Sequence, residues 1–186
     1  MMTEKQKMIS GQPYLSADDE LVQEREAASQ RLFEVAAIPP ARKAERYALL
    51  RRLLGSTGDN FTIERNFHCD YGYNIYVGEN FYANVNCTIL DCAAVRIGDN
   101  VLLAPNVGIY TAGHPLEAGP RVAGVEFAYP VTIGNNVWIG GNSVLLPGVT
   151  IGDNTVIGAG SVVTKSIPAN VVAVGNPCRV IRSLVK

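Results

Sequence analysis

An aliphatic residue recurs at every sixth position through most of the chain, and this period limits the possible folds more than any other feature. The windows IGNNVW, IGGNSV, LLPGVT, IGDNTV and IGAGSV share an aliphatic first residue and Asn, Asp or Gly at a bend. Short strands joined by such bends wind a parallel β-helix whose first-position side chains stack inside. Antiparallel hairpins, the alternative, do not hold one phase for so long. The repeating positions are Ile97, Leu103, Ile109, Ile133, Ile139, Leu145, Ile151, Ile157 and Val163.

The period is interrupted at two points. The step from Ile89 to Ile97 needs two extra residues within CAAVR, and the six-residue period is absent between Ile109 and Ile133. This second interruption contains TAGHP, with His114, one of only two histidines. A residue inside a coil is committed to stacking, so we expect a protruding loop at about 112–129 that carries chemistry. Gly113 and Pro115 are expected to give this loop freedom and rigidity respectively.

Two amphipathic helices are predicted before the repeat. Ser16 followed by Asp19 resembles a capping box, and the Pro39-Pro40 pair ends the first helix. The second helix is predicted to have Pro40 at or near its first turn and to stop at Gly55. A helical segment over residues 1–56 is too small for its own core, so it should pack on the repeat domain, 57–186, or on a neighbouring subunit. The inward residues are expected to be Leu21, Ala28, Leu32 and Val35, then Ala44, Tyr47, Leu50 and Leu54.

Composition excludes several classes of function. A net charge of -1 gives no global attraction to nucleic acid or to an anionic membrane. We find no apolar run suited to a signal peptide or a membrane span, so a cytoplasmic protein is expected. The four cysteines lack C-x-x-C spacing and are expected to be reduced and buried. Two histidines, His68 and His114, cannot supply the three zinc ligands of a β-helical carbonic anhydrase, so no metal is expected.

Several stretches together resemble one family. SADDELVQER, CDYGYNI, NFYANVN, LLAPNVGIYTAGHP, PVTIGNNVWIGG, LPGVTIGDN and GNPCRVIR are similar to sequences of the maltose and galactoside O-acetyltransferases. The resemblance implies a mainly β, left-handed parallel β-helix that uses acetyl-CoA as co-substrate and assembles as a homotrimer with shared sites. It implies transfer to a sugar hydroxyl of the maltose or glucose type, at the 6-hydroxyl, by direct attack in a ternary complex.

The resemblance also implies roles for particular residues. An alcohol needs a base to lose its proton at neutral pH, and imidazole titrates in the right range, so His114 is the expected general base while His68 has no role. Asn84 is expected to stabilise the oxyanion or hold the acceptor; its alternative is a turn asparagine. Glu126 is expected to hydrogen-bond the imidazole, or is a surface carboxylate.

The expected acceptor site contains an aspartate, Asp70, that is typical of the maltose-type branch and is serine in the galactoside enzymes. At Ser16 and Cys92 some members carry sugar-contacting aspartates, and this departure leaves the acceptor open. The residues expected to bind the acceptor are Asp70, Asn84, Arg25, Asp91 and Tyr82.

Acetyl-CoA is expected along the later coils. The resemblance implies that small residues let its pantetheine arm approach the backbone, and that cations bind its phosphates. A basic end that only keeps the chain soluble is the alternative. The expected contacts are Ala104, Gly141 and Ala159, flanked by Trp138, with Thr164, Lys165, Arg179 and Arg182 at the nucleotide end and Lys186 nearby.

Two other functions stay open at this point. The acceptor hydroxyl could belong to a galactoside, an antibiotic or serine. Alternatively, the chain is a non-catalytic hexapeptide scaffold protein, although such a protein would not need a histidine in the loop.

Overall fold

Residues 1–184 are described in a computed structural model, and from Phe61 onward they wind into a parallel β-helix with three sheets. Each coil contributes one short strand to each sheet in turn. Sheet I contains β4 (Ile75–Val77), β7 (Val95–Ile97), β12 (Val131–Ile133) and β15 (Thr150–Ile151). Sheet II contains β2 (Phe61–Ile63), β5 (Phe81–Ala83), β8 (Leu102–Leu103), β13 (Trp138–Ile139), β16 (Val156–Ile157), β18 (Val171–Val174) and β19 (Arg179–Ser183). Sheet III contains β3 (His68–Cys69), β6 (Thr88–Leu90), β9 (Gly108–Tyr110), β14 (Val144–Leu145) and β17 (Val162–Val163).

The six-residue positions form three buried columns, one behind each sheet. The parallel register sets Ile133 beside Ile151 in sheet I, and Ile139 beside Ile157 in sheet II. All the predicted stacking positions are buried, the most exposed being Ile97 at 5%. Burial of each such side chain contributes roughly 1.5–3 kcal/mol. The predicted β-helix and its inward positions are therefore confirmed.

Asparagine ladders close the corner between sheets I and II. Asn100, Asn136 and Asn154 have φ of 56° to 57°, in the left-handed region that asparagine tolerates better than most residues with a Cβ. Asn100 donates its side-chain amide to Asn136 at 3.0 Å, and Asn136 donates to Asn154 at 2.9 Å. A Cβ at Gly134 would collide with the Asp153 carboxylate of the next coil. The Gly-Asn and Gly-Asp pairs are thus the bends that the repeat predicts.

The N-terminal helices cover the start of the β-helix. They are α1 (Glu4–Ile9), which the sequence analysis missed, α2 (Asp19–Ala37) and α3 (Lys43–Leu53). The N-cap of α2 is Asp18 rather than Ser16, so that predicted start was wrong, whereas Pro40 lies just before Arg42, the N-cap of α3. Ala44, expected to face inward, is exposed because it lies in the first turn of α3, before the helix reaches the core. Val35 and Leu50 join the β-helix core, which confirms the predicted packing.

Every interruption of the repeat falls at the corner between sheets III and I, which we call the III–I corner. Two residues are inserted before β4 and two before β7. The long insertion contains β10 (Ala112–Gly113), α4 (Ala118–Val122) and β11 (Val125–Ala128). β11 pairs antiparallel with β10 and with β1 (Tyr14–Leu15). The predicted loop is therefore a β-hairpin with a helical tip, anchored to the N-terminal segment.

The four cysteines, Cys69, Cys87, Cys92 and Cys178, are free and buried, as predicted. Among residues 1–184, none of the helices is both long and apolar enough to span a membrane.

Candidate active site

A cavity of about 400 Å³ lies at the III–I corner, where the three insertions stack on one another. Polar groups that can accept or donate hydrogen bonds share its wall with a few apolar side chains. Its lining residues are Ser16, Arg25, Asp70, Leu90, Cys92, Tyr110, Ala112, Gly113, His114 and Glu126. This cavity unites three of the residues expected from the sequence to form the site with His114.

His114 follows β10 directly, and its side chain is half exposed, at 51%. Its Nδ1 lies 3.3 Å from the backbone carbonyl oxygen of Val125. Because a carbonyl oxygen can only accept, this contact requires the proton on Nδ1 and leaves Nε2 free to take a proton. Gly113 is needed here for space, since a Cβ would approach the Phe127 ring to 2.6 Å. The backbone freedom expected of Gly113 is not used, because its φ is not positive.

Glu126 approaches the imidazole from the other side. Its Oε1 lies 3.9 Å from His114 Nε2, a distance for an ion pair rather than a hydrogen bond. The expected hydrogen bond is therefore absent, and the Val125 carbonyl orients the ring instead. The carboxylate is mostly buried, at 19% exposure, and its Oε2 accepts a hydrogen bond from the Tyr14 hydroxyl at 2.6 Å. Glu126 is thus a fixed negative charge beside the basic nitrogen.

Asp70 and Arg25 provide the other charges of the cavity. Burial raises the pKa of Asp70 above its ordinary value, while the Cys92 thiol, a donor to Oδ2 at 3.4 Å, and Arg25 lower it. The Arg25 guanidinium donates to the Tyr71 hydroxyl at 2.8 Å and to the Ser16 carbonyl at 2.7 Å. Both side chains are held by the protein and face a cavity in which a polyhydroxyl ligand could bind them.

Asp91, expected to contact the acceptor, has no exposed surface and does not line the cavity. Its Oδ1 accepts backbone N–H bonds from Asp70 at 3.0 Å and Tyr71 at 2.9 Å, and its Oδ2 accepts one from Asn74 at 3.3 Å. Burial raises its pKa to about 6, although the backbone donors oppose this. This position does not favour the expected direct contact, because the inserted residues turn the carboxylate inward to satisfy the corner's backbone.

Replacing Asp91 by alanine is expected to lower the free energy of unfolding by about 3 kcal/mol, because three buried or partly buried N–H groups lose their acceptor at about 1 kcal/mol each. Denaturant unfolding measures the loss. Asp91→Asn is the matched control: it keeps one acceptor oxygen and should lose less. Unchanged stability together with a tenfold higher KM for the acceptor would restore Asp91 to the acceptor site.

Asn84 and Tyr82 lie away from the cavity. Asn84 follows β5 at the corner between sheets II and III, the II–III corner, where its Oδ1 accepts from Val85 N–H at 2.8 Å. Tyr82 lies on the outer side of sheet II, paired with Leu102. One chain therefore does not bring these residues to His114.

The residues expected to bind acetyl-CoA lie in two regions, the II–III corner and the C-terminal end of the β-helix. Ala104, Gly141 and Ala159 follow successive strands of sheet II and line the II–III corner with Asn84. Trp138 projects from β13 beside them and is 52% exposed. The remaining residues lie at the C-terminal end, where a groove of about 230 Å³ brings two of the expected cations together. Thr164 and Lys165 follow β17, and Arg179 and Arg182 belong to β19. Lys165 and Arg179 are the two cations that line the groove. Lys186 lies outside the described residues.

Tyr14 is the main residue that the sequence analysis missed. It is 2% exposed, and its partner Glu126 is 112 positions away. A two-residue strand has no periodicity to detect, so only the folded hairpin reveals the pair. Within residues 1–184, no group of three or more His, Cys, Asp or Glu side chains could hold a metal ion.

Comparisons with known proteins find matches to both the N-terminal segment and the repeat. A family described as the maltose acetyltransferase hexapeptide capping motif matches residues 7–58, and one described as bacterial transferase hexapeptide (six repeats) matches residues 130–165. Galactoside O-acetyltransferase of Escherichia coli K12 is 46% identical over 183 residues, 98% of this chain and 89% of that protein.

Two solved structures are similar over their whole length. A maltose O-acetyltransferase from Clostridium difficile 630 superposes with a TM-score of 0.97 at 55% identity, covering 100% of this chain and 99% of that one. A hexapeptide-repeat acetyltransferase from Vibrio cholerae, crystallised with acetyl-CoA, has a TM-score of 0.92 at 38% identity and covers 100% of both chains.

Proposed function

The chain belongs to the maltose and galactoside O-acetyltransferase family of left-handed β-helix enzymes, and from this we propose that it transfers the acetyl group of acetyl-CoA to a maltose- or glucose-type acceptor. The proposed position is the 6-hydroxyl, a primary alcohol that projects from the sugar ring. Asp70, the aspartate typical of the maltose-type branch, and Arg25 would hold the ring hydroxyls. The cytoplasmic location and the boundary near residue 56 remain predictions.

The single observation that carries the proposal is the orientation of His114. With its Nδ1 proton directed to the Val125 carbonyl, the free Nε2 lies near Glu126, and both side chains line a cavity with groups suited to a sugar. Nε2 would take the proton of the acceptor hydroxyl as its oxygen attacks the thioester carbonyl. The C–S bond then breaks, and the imidazolium returns the proton to the leaving CoA sulfur. Asn84 would donate to the oxyanion formed in between.

Direct transfer is favoured over an acetyl-cysteine intermediate. Cys92 is the cavity's only cysteine among the described residues, and burial raises its thiol pKa well above the ordinary value, with Asp70 acting in the same direction. A thiol is nucleophilic only as thiolate, so Cys92 is poorly suited to attack. Mass spectrometry of the protein with acetyl-CoA alone should therefore find no acetyl group on Cys87 or Cys92.

The active unit is proposed to be a homotrimer whose sites are shared between subunits. His114 is at the III–I corner, whereas Asn84 and the small residues expected to contact acetyl-CoA are at the II–III corner. A neighbouring copy that presents its II–III corner to the cavity would complete the site, in keeping with closed cyclic assemblies. The exposed side chains of Leu116 and Val122 at the hairpin tip would then meet this neighbour.

The double substitution of Lys165 and Arg182 by alanine is expected to raise the KM for acetyl-CoA about tenfold or more, because the CoA phosphates lose two cationic partners. The KM for the sugar should change little, and added salt should mimic the substitution. Arg52→Ala, which removes an exposed cation in α3, is the control. An unchanged KM for acetyl-CoA would contradict the phosphate-binding role.

A thiol-release assay with acetyl-CoA across a panel of acceptors tests the whole proposal. Maltose or glucose should release CoA, with the product acetylated at the 6-hydroxyl by NMR. Other hydroxyl acceptors stay in the panel because Ser16 and Cys92, where some family members carry aspartates, line the cavity. CoA release only with a galactoside, an antibiotic or serine would show that the acceptor is that compound rather than maltose or glucose. No CoA release with any acceptor would favour the non-catalytic scaffold.

A further inference from the structure

Tyr14 and Glu126 form a pair that the acetyl-transfer scheme does not use. They are directly opposite residues in the antiparallel pairing of β1 with β11, so their side chains share one face. The Tyr14 ring belongs to a small core with Met8, Leu21, Tyr71 and Cys92, which fixes its position. Its hydroxyl donates to Glu126 Oε2 at 2.6 Å, a length typical of a bond to a charged acceptor. Tyr14 itself does not line the cavity, and its hydroxyl is bonded to Glu126, which does.

The bond from Tyr14 determines which carboxylate oxygen faces the base. With Oε2 bound, Oε1 is the oxygen directed at His114 Nε2, 3.9 Å away. That nitrogen gains positive charge as it removes the proton of the acceptor. A carboxylate fixed nearby in a partly buried site stabilises this charge without having to reorient during the reaction.

From this geometry we infer that Tyr14 is a positioning residue for the transfer, one that holds Glu126 so that its free oxygen faces the proton-accepting nitrogen of His114. The inference rests on the proposed function in taking His114 as the base. Burial raises the pKa of Tyr14, and the neighbouring Cys92 and Glu126 add to this effect, so the hydroxyl keeps its proton throughout the pH range of an assay. The N-terminal segment thereby contributes to the active site through Tyr14, although Tyr14 itself does not line the cavity.

Tyr14→Phe removes the hydroxyl and keeps the buried ring. We expect kcat with the sugar to fall about tenfold, the scale of one hydrogen bond to a charged group, while the KM for acetyl-CoA and the melting temperature stay close to the original values. In a Glu126→Ala background the same substitution should cost nothing further, because Tyr14 then has no carboxylate to hold. Equal losses in both backgrounds, or no loss in either, would overturn the inference.

A second readout does not depend on the acceptor. Carbethoxylation by diethyl pyrocarbonate also builds positive charge on an imidazole, and peptide mass spectrometry can follow His114 with the exposed His68 as internal control. Modification of His114 relative to His68 should slow several-fold in Tyr14→Phe and in Glu126→Ala. In the double variant it should be no slower than in Glu126→Ala alone. If no sugar were acetylated, the proposed function would fail while this ratio still decided the role of Tyr14. An unchanged ratio would overturn that role.

Discussion

Replacing His114 by alanine is expected to lower turnover by about two to four powers of ten, the usual contribution of a general base. The change removes the free Nε2 from the cavity and leaves the residues expected to bind acetyl-CoA untouched. Single-turnover kinetics with acetyl-CoA and the sugar measure the chemical step, and CoA binding measured by calorimetry should be unchanged. The side chain is half exposed, and within residues 1–184 its hydrogen bond is to a backbone carbonyl, so folding should not suffer.

His68→Ala is the matched control for this prediction. His68 is the chain's other histidine and lies exposed on β3, outside the cavity. Its removal should change turnover by less than about twofold. A loss of only a few-fold in His114→Ala, or equal losses in the two variants, would show that His114 is not the base.

Mixing two nearly inactive variants is expected to restore activity if the sites are shared. In His114→Ala the lesion is at the III–I corner, and in Asn84→Ala it is at the II–III corner. When the two chains are coexpressed and assemble randomly, about one site in four combines an intact His114 with an intact Asn84 from the neighbour. Activity should therefore return to about a quarter of the original, at least tenfold above either variant alone.

The control mixture pairs His114→Ala with Asp70→Ala. Both residues line the same cavity of one chain, so every site in the mixture carries one of the two lesions. This mixture should stay as weak as its components. Sedimentation of a fully active monomer, or absence of recovery in the mixture with Asn84→Ala, would contradict the shared site.

The repeat allowed the fold to be predicted because each coil is a local unit. Ile139 and Ile157 stack because residues spaced by three six-residue segments occupy the same place in successive coils. The bends at Asn136 and Asn154 follow from the conformational preference of asparagine itself. The position of His114 in an interruption followed from the same pattern. These features depend on short-range steric rules, so they can be predicted from the sequence.

The wall of the cavity could not be predicted in this way. Asp91 and Asp70 look alike in sequence, but one is turned inward by the extra corner residues and the other faces the cavity. Glu126 could be expected near the imidazole, but its orientation depends on Tyr14, across a pairing that joins distant parts of the chain. The III–I corner brings together segments whose contacts have no fixed spacing.

The III–I corner also determines how a protein of this kind can diverge. At the other two corners, ladders of asparagine side chains join successive coils, as from Asn100 to Asn136 and from Asn106 to Asn142, so added residues there would break bonds along the stack. The III–I corner takes insertions of two residues or of a whole hairpin while the columns keep their register. New acceptor preferences can therefore arise by lengthening, shortening or exchanging segments at this one edge, without disturbing the stacked columns of the β-helix.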